Sequence, residues 1–357
     1  MSSIRIIKAC ELTPEQTCQW QEIASAKRYL QSPFLQPAFT RAVAHVRDDV
    51  KIALIESQGE LQGVFPFQCG SRGLLRNVGG RLSEFHTPIV KPDFAPDIPE
   101  LLRACGLSWW QFDHLPATDS PLAKHAWGTS TSPFLDLADG YDSYVKERKA
   151  AGSSMSQTLR KGRKLEREVG PLRFEYQTTS EEAFLALVSW KDDQHRRTGR
   201  LRVMQYDWLL QLLRYLKSDH ATNDVGLFST LYAGDKLAAV HLGLRNESVI
   251  HLWFPAYAPE LEEYSPGLIL LLRLAEEAAA RGLVRIDFGR GSERYKSNFK
   301  SGEIVLAEGA IDLRPVSGRL RKHWYHTKRW FRNSRWKEQF EWPMEVTRRL
   351  RQKLAFE

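Results

Sequence analysis

Apolar and polar positions are patterned most clearly in the second half of the chain. A two-residue period over Leu172–Tyr176 predicts a strand, and helical spacing over Glu181–Lys191 and Asp207–Leu216 predicts two helices. Three strand-like runs follow, Val225–Tyr232, Lys236–Arg245 and Ser248–Phe254. They are joined by Ala233-Gly234-Asp235 and Asn246-Glu247, both turn chemistry, so they form an antiparallel meander. Ser265-Pro266-Gly267 then opens a helix running to Arg281, with Ser265 the expected N-cap, Pro266 at the first helical position and Gly282 the stop. A buried strand, Val284–Phe288, ends in Gly289-Arg290-Gly291, and a last strand, Ile304–Leu313, closes the unit. The order is β-α-α-β-β-β-α-β-α-β.

The first half repeats that order. A strand Ile4–Lys8 precedes helices near Pro14–Lys27 and Pro37–Val46. A hairpin Val50–Phe67 turns at Gln58-Gly59-Glu60, and a helix Pro99–Cys105 and strands Ser108–Phe112 and Ser132–Leu137 follow. The hairpin VKIALIESQGELQGVFPFQ resembles VGLFSTLYAGDKLAAVHLGL, with Gly59 and Gly234 at equivalent turns. The expectation is therefore an α/β (α+β) protein of two copies of one fold, with mixed, mostly antiparallel sheets flanked by helices. The expected divisions are 1–145, a basic linker helix over 146–170, a second domain over 171–315 and a basic aromatic tail over 316–357.

In the linker, Met155, Leu159, Leu165 and Val169 fall on one helical face while Arg160, Lys161, Arg163, Lys164 and Arg167 crowd the other. That basic face is either a solvated surface or, in the functional reading, a contact for a phosphorylated substrate, with Arg160 as its representative.

Composition changes the picture in one respect. The net charge of +8 resides in the stretch from Arg319 onward, where 12 Lys/Arg face 4 Asp/Glu, so the body before it is neutral. The tail interleaves those cations with Trp324, Tyr325, Trp330, Phe331, Trp336, Phe340 and Trp342. This pattern suits an anionic membrane surface, or a helix packing its tryptophans on the body; nucleic acid is the weaker reading. No apolar run approaches the ~20 residues of a membrane-spanning helix, and Met1–Glu11 lacks a secretory apolar stretch. Cys10, Cys18, Cys69 and Cys105 form no CxxC pair, so the expectation is a reduced, cytoplasmic protein without a metal.

Candidate chemistry concentrates between Ser248 and Lys296. A helix N-terminus binds anions, and Gly267 puts no side chain in the way of a ligand at Ser265, Pro266, Gly267 and Leu268. Upstream, His251, Trp253, Phe254 and Tyr257 end a strand that must part from the next, because a helix intervenes. Downstream, Asp287 ends a buried strand, followed by Arg290, Tyr295 and Lys296. This supports an anionic cofactor held between two strands. His241 reads as a satisfied strand residue and His195-Arg196-Arg197 as a solvated helix end. No nucleophile elbow, phosphate-binding Walker loop or metal cluster is present in the sequence.

The element order resembles that of the GNAT acyltransferases. SPGLILLLRLAEEAAARGLVRIDFGRGSERYKSNFK and TLRKGRKLEREVGPLRFE are similar to the CelD-like acetyltransferase family, as are SPFLQPAFTRAVAHVRDDVKIALIE and GGRLSEFHTPIV in the first half. That family is associated with bacterial polysaccharide synthesis and is related to the Fem-type transferases. The chain departs from small GNAT enzymes in having Ser-Pro-Gly where they carry a Gln/Arg-x-x-Gly-x-Gly/Ala loop. The resemblance implies acyl transfer from acetyl-CoA or another acyl-CoA to an amine on a free, nucleotide-linked or lipid-linked sugar. It implies backbone donors near Trp253–Pro255 for the carbonyl, His251 or Asp287 as base, and Lys296 on phosphate or the oxyanion. Arg160, Arg290 and Tyr295 would face substrate, and Glu84 and His86 would read sugar hydroxyls. The rival readings are a Fem-like transferase using aminoacyl-tRNA and a catalytically silent GNAT scaffold that binds a partner or membrane through its tail.

Overall fold

The computed structural model describes residues 2–314 apart from 119, 153, 219–224 and 292, together with His323 and Thr327. The aromatic-basic tail, with its expected membrane contact, lies outside the described residues.

In chain order the elements are β1 (Ser2–Lys8), α1 (Pro14–Ser25), α2 (Pro37–Val46), β2 (Val50–Ser57), β3 (Glu60–Cys69), β4 (Leu74–Arg76), β5 (Ile89–Val90), α3 (Ile98–Ala104) and β6 (Trp109–Pro116). There follow β7 (Ala126–Asp136), α4 (Tyr141–Ala150), α5 (Met155–Glu168), β8 (Leu172–Glu175), α6 (Glu181–Arg197), α7 (Asp207–Lys217), β9 (Gly226–Ala233), β10 (Lys236–Arg245) and β11 (Val249–Tyr257). The last are α8 (Pro266–Ala280), β12 (Arg285–Asp287), α9 (Arg294–Phe299) and β13 (Gly302–Asp312). These elements form two compact units: among the described residues the first holds 2–30, 34–130 and 305–314, and the second 31–33 and 131–304.

Within the first unit the strands run β1-β2-β3-β4-β6-β13, with β5 beside β3. The β2–β3 loop is Gln58-Gly59, closed by the pair Ser57↔Glu60. Both loop residues have positive φ, 54° and 81°, the backbone that matches the twist of the flanking strands. Phe65, Phe67, Trp110 and Phe112 fill this unit's core with Leu101 and Leu102 of α3.

Within the second unit the order is β7-β12-β11-β10-β9-β8. Leu271, Leu272, Leu274, Ala275 and Ala278 of α8 pack on Ile250, Leu252 and Ile286 of the sheet. Each buried leucine there contributes about 1.5–3 kcal/mol relative to exposure, so α8 is held firmly and its N-terminus is a fixed point.

Two expectations change. The strand near 132–137 was expected to close the first copy, but β7 pairs with β12 (Phe134↔Asp287) in the second unit. Conversely β13 is divided between the copies: its start, through Ile304, lies in the second unit, while from Leu306 onward it pairs with β6 (Leu306↔Pro116 to Asp312↔Trp109) in the first. Each half lends most of its last strand to the other, which no local pattern encodes. The segment 146–170 is likewise more than a linker, because α5 buries Met155, Thr158, Gly162 and Leu165 within the second unit.

Candidate active site

β11 and β12 are parallel, in register Val249↔Arg285, Ile250↔Ile286 and His251↔Asp287. β12 stops at Asp287, while β11 continues to Tyr257 with no parallel neighbour from β12. Between Leu244↔His251 and Leu242↔Phe254 the register slips, placing one extra residue in β11 at Leu252–Trp253. Such a bulge frees backbone N–H groups from the ladder. Ala258 N–H donates to the Ala238 carbonyl, so by alternation Ala256 also faces β10 while Pro255 and Tyr257 turn their backbone to the uncovered edge. Proline is tolerated at 255 because that edge asks for no N–H there.

The N-terminus of α8 lies beside this edge. Ser265 occupies the N-cap position in a left-handed conformation (φ 56°, ψ 54°), and its side chain does not cap the helix as the sequence suggested. Instead Ser265 Oγ accepts from Lys161 Nζ at 2.8 Å. Lys161 reaches it because α5 packs on α8 at Gly162, where an added Cβ would sit 3.8 Å from Ile269. Gly267 faces Tyr257, whose ring carbon Cδ1 would be 3.5 Å from an added Cβ. Tyr257 donates to Glu262, and the Trp253 and Phe254 rings lie tilted at 49° with centroids 4.8 Å apart, both largely buried. A helix N-terminus, a lysine, a serine hydroxyl and a glycine approach therefore converge, the chemistry of an anion cradle.

Asp287 is fully buried and ion-paired with Arg285, Nε to Oδ1 at 2.8 Å, and Arg285 Nη2 donates a hydrogen bond to Asp287 Oδ2 at 3.3 Å. The sequence reading missed Arg285, since an arginine inside an apolar strand pattern reads as an interruption. His251 is fully buried beside Asp287. Lys296 is not a free phosphate or oxyanion donor: its Nζ donates to the carbonyls of Gly289 and Arg290, each 3.0 Å away, and is ion-paired with Glu293 Oε2 at 3.3 Å. It locks the Gly289-Arg290-Gly291 loop. Gly291 has φ 154°, and a Cβ there would lie 2.8 Å from Lys296 Nζ and 2.1 Å from Glu293 Oε2. Gly291→Ala should therefore destabilise the protein by about 1–3 kcal/mol through strain and the displaced ammonium, read as a lowered denaturant midpoint; an unchanged midpoint would contradict this loop geometry. Tyr295 packs half-buried against Phe288 in the core, while Arg290 and Arg160 are exposed.

α6 continues past Lys191 and adds groups the sequence did not single out. Lys191 is buried, and its Nζ donates to the Pro255 carbonyl at 2.8 Å and to Gln194 Oε1 at 2.9 Å. Burial pushes its pKa down to about 8; nearby Arg200 and Lys296 push the same way, and Glu293 opposes them. Glu293 is shared by Lys296 and by Arg200, the latter at 3.1 Å. His195 is buried rather than solvated, and burial, with Lys191 and Arg200, lowers its pKa to about 4. The signal available beforehand was helical spacing, which puts Lys191 and His195 four residues apart on one face.

His241 departs further from expectation. It is fully buried, neither ring nitrogen has a partner among the described residues, and Gly243 leaves room for the ring. Burial lowers its pKa to about 3, with His251 and Lys191 adding to the effect. The unfolded imidazole takes up a proton near pH 6.5 while the folded one stays neutral, so stability present above pH 6.5 is lost as the pH falls toward 3. At pH 5 the loss from this group is about 2 kcal/mol. His241→Leu should shrink the stability difference between pH 7 and pH 5 by that amount in urea unfolding; an unaltered difference would show that the ring is solvated.

Glu84 and His86 lie in the first unit, apart in sequence and unit from the residues above. His86 Nε2 accepts from the backbone N–H groups of Asp113 and His114, at 3.2 and 3.3 Å. Burial lowers its pKa to about 3. The ring thus splices its loop to β6 rather than presenting that nitrogen to a sugar. Glu84 is half-buried.

The chain holds two units of mixed sheet flanked by helices, the second with a strand pair that parts beside a helix N-terminus. Residues 153–297 match the family described as acetyltransferase (GNAT) domain. No curated protein matches the chain by sequence. Among solved structures, the chain is similar to FemX, with a TM-score of 0.59 and 10% identity over 89% of this chain and 99% of that one. It is also similar to L-PGS from Bacillus licheniformis, with a TM-score of 0.52 and 13% identity over 88% of this chain and 97% of that one. At these identities the likeness is one of fold.

Proposed function

We propose that the second unit transfers an acyl group from acetyl-CoA to the amine of an amino sugar carried on a nucleotide or lipid phosphate, in bacterial polysaccharide or envelope synthesis. The observation that carries this reading is the uncovered edge of β11 beyond His251, ending against the N-terminus of α8 with Lys161 on Ser265. An extended thioester arm fits along such an edge, its phosphates at the helix N-terminus and its carbonyl toward the bulge at Leu252–Trp253. The residues present fit the donor: Gly267 leaves the approach open, and Lys161 and Ser265 supply the charge and hydroxyl. Trp253, Phe254 and Tyr257 offer aromatic surface, and Leu268 packs half-buried on the core of the second unit. The resemblance to CelD-like acetyltransferases supports the sugar amine as acceptor.

Isothermal titration of the full chain with acetyl-CoA tests the reading, with saturable binding expected. Absence of binding overturns it. Sharing its fold with FemX, the chain has a Fem-like aminoacyl-tRNA donor as its alternative, and aminoacyl-tRNA is the second titrant. Retention of that RNA without acetyl-CoA binding would move the assignment there.

A further inference from the structure

Lys191 is the buried amine at the parted strands. Its acceptors among the described residues are the Pro255 carbonyl at 2.8 Å and Gln194 Oε1 at 2.9 Å. Pro255 directs that carbonyl away from β10, to the edge that β12 leaves uncovered. Two acceptors suit a neutral amine: both N–H groups donate and the lone pair is left over, whereas an ammonium would keep a third N–H buried and unmatched. The charged and titratable groups around it are Arg200, Lys296 and Glu293 at the loop, and the neutral imidazoles of His195 on α6 and His241 on β10. The base candidates from sequence are placed differently, since Asp287 spends its carboxylate on Arg285.

We propose that Lys191 is the general base of the transfer, taking the proton from the acceptor's ammonium; this rests on the acyl-transfer reading. An N–H bond of the acceptor breaks toward Nζ, leaving a free amine and a Lys191 ammonium. The amine attacks the thioester carbonyl, the C–N bond forms, and the C–S bond breaks with its electron pair going to sulfur. The second proton on the attacking nitrogen passes to the departing thiolate, and Lys191 returns its own proton to water. With its pKa drawn down to about 8, Lys191 exchanges that proton readily near neutral pH.

The test uses the full chain, acetyl-CoA and D-glucosamine as acceptor, with thiol release followed from pH 6 to 9.5. Lys191→Met should lower kcat by ~10²–10⁴ while acetyl-CoA affinity stays within threefold of wild type. The wild-type rate should rise with a midpoint near 8, and the residual activity of the variant should lack that rise. Lys191→Arg should not rescue it, because a guanidinium does not deprotonate in this range. Turnover of Lys191→Met within threefold of wild type, or an unchanged pH midpoint, overturns the proposal. An activity that falls through pH 8 also overturns it, since that would make the cation the working form. An independent arm needs no acceptor: competitive labelling with acetic anhydride and mass spectrometry should give Lys191 a midpoint near 8, and a value near 10.5 overturns the assignment. Failure of wild type to bind acetyl-CoA sinks the donor reading; normal binding with a dispensable Lys191 sinks this inference alone.

Discussion

Asp287→Asn should cost about 3–5 kcal/mol of stability, because it strands a buried guanidinium. Arg285 and Asp287 are 2% and 0% exposed, and their charges are paired at 2.8 Å. Asparagine keeps the shape but removes the opposite charge, and a buried unpaired cation is among the most unfavourable groups a fold can hold. The strand carrying the pair lies between β7 and β11, so the damage falls at the centre of the second unit's sheet. Urea unfolding should show the loss as a lowered midpoint. Arg285→Met in the same chain should recover part of it, since no buried charge is then left unpaired. A single variant that is fully stable but has lost turnover would instead make Asp287 the reacting carboxylate.

Gly267→Trp should abolish acetyl-CoA binding in calorimetry while the unfolding midpoint moves little. The backbone at 267 lies in the first turn of α8 and has room for a Cβ, whose nearest neighbour is the Tyr257 ring at 3.5 Å. The indole beyond that Cβ covers the N–H groups that an anion would use. Losing two charge-assisted hydrogen bonds of about 1.5–3 kcal/mol each weakens affinity by at least roughly a hundredfold. Gly267→Ala, which adds only the tolerated carbon, should bind within a few-fold of wild type. Equal binding by the tryptophan variant would place the donor elsewhere.

Much of the fold was legible along the chain because it is local. The turns at Gly59 and Gly234, the Pro266 start and Gly282 end of α8, and the alternation in β9 to β11 rest on interactions within a few residues. The repeat of two halves followed from the same signals, and so did the parting of β11 from β12, since a helix joins them. The candidate site was legible where geometry follows from strand ends and helix starts: His251 and Asp287 fall side by side, and Gly267 faces Tyr257.

Pairing over long sequence separations was not legible. The exchange of β7 and β13 between the halves joins strands more than 150 residues apart, and an alternating pattern suits either partner equally. The roles of charged groups were also decided by tertiary contacts. Lys296 reads as a free cation, yet loop carbonyls and Glu293 saturate it. Lys191 reads only as the last residue of a helical pattern, yet it is buried against Pro255. His241 reads as satisfied, yet it is enclosed without a partner among the described residues. Short-range periodicity and turn chemistry determine which elements form, because their energies are local. Which polar group is desolvated, and beside which charge, depends on what the rest of the fold brings against it, and that sets its chemistry.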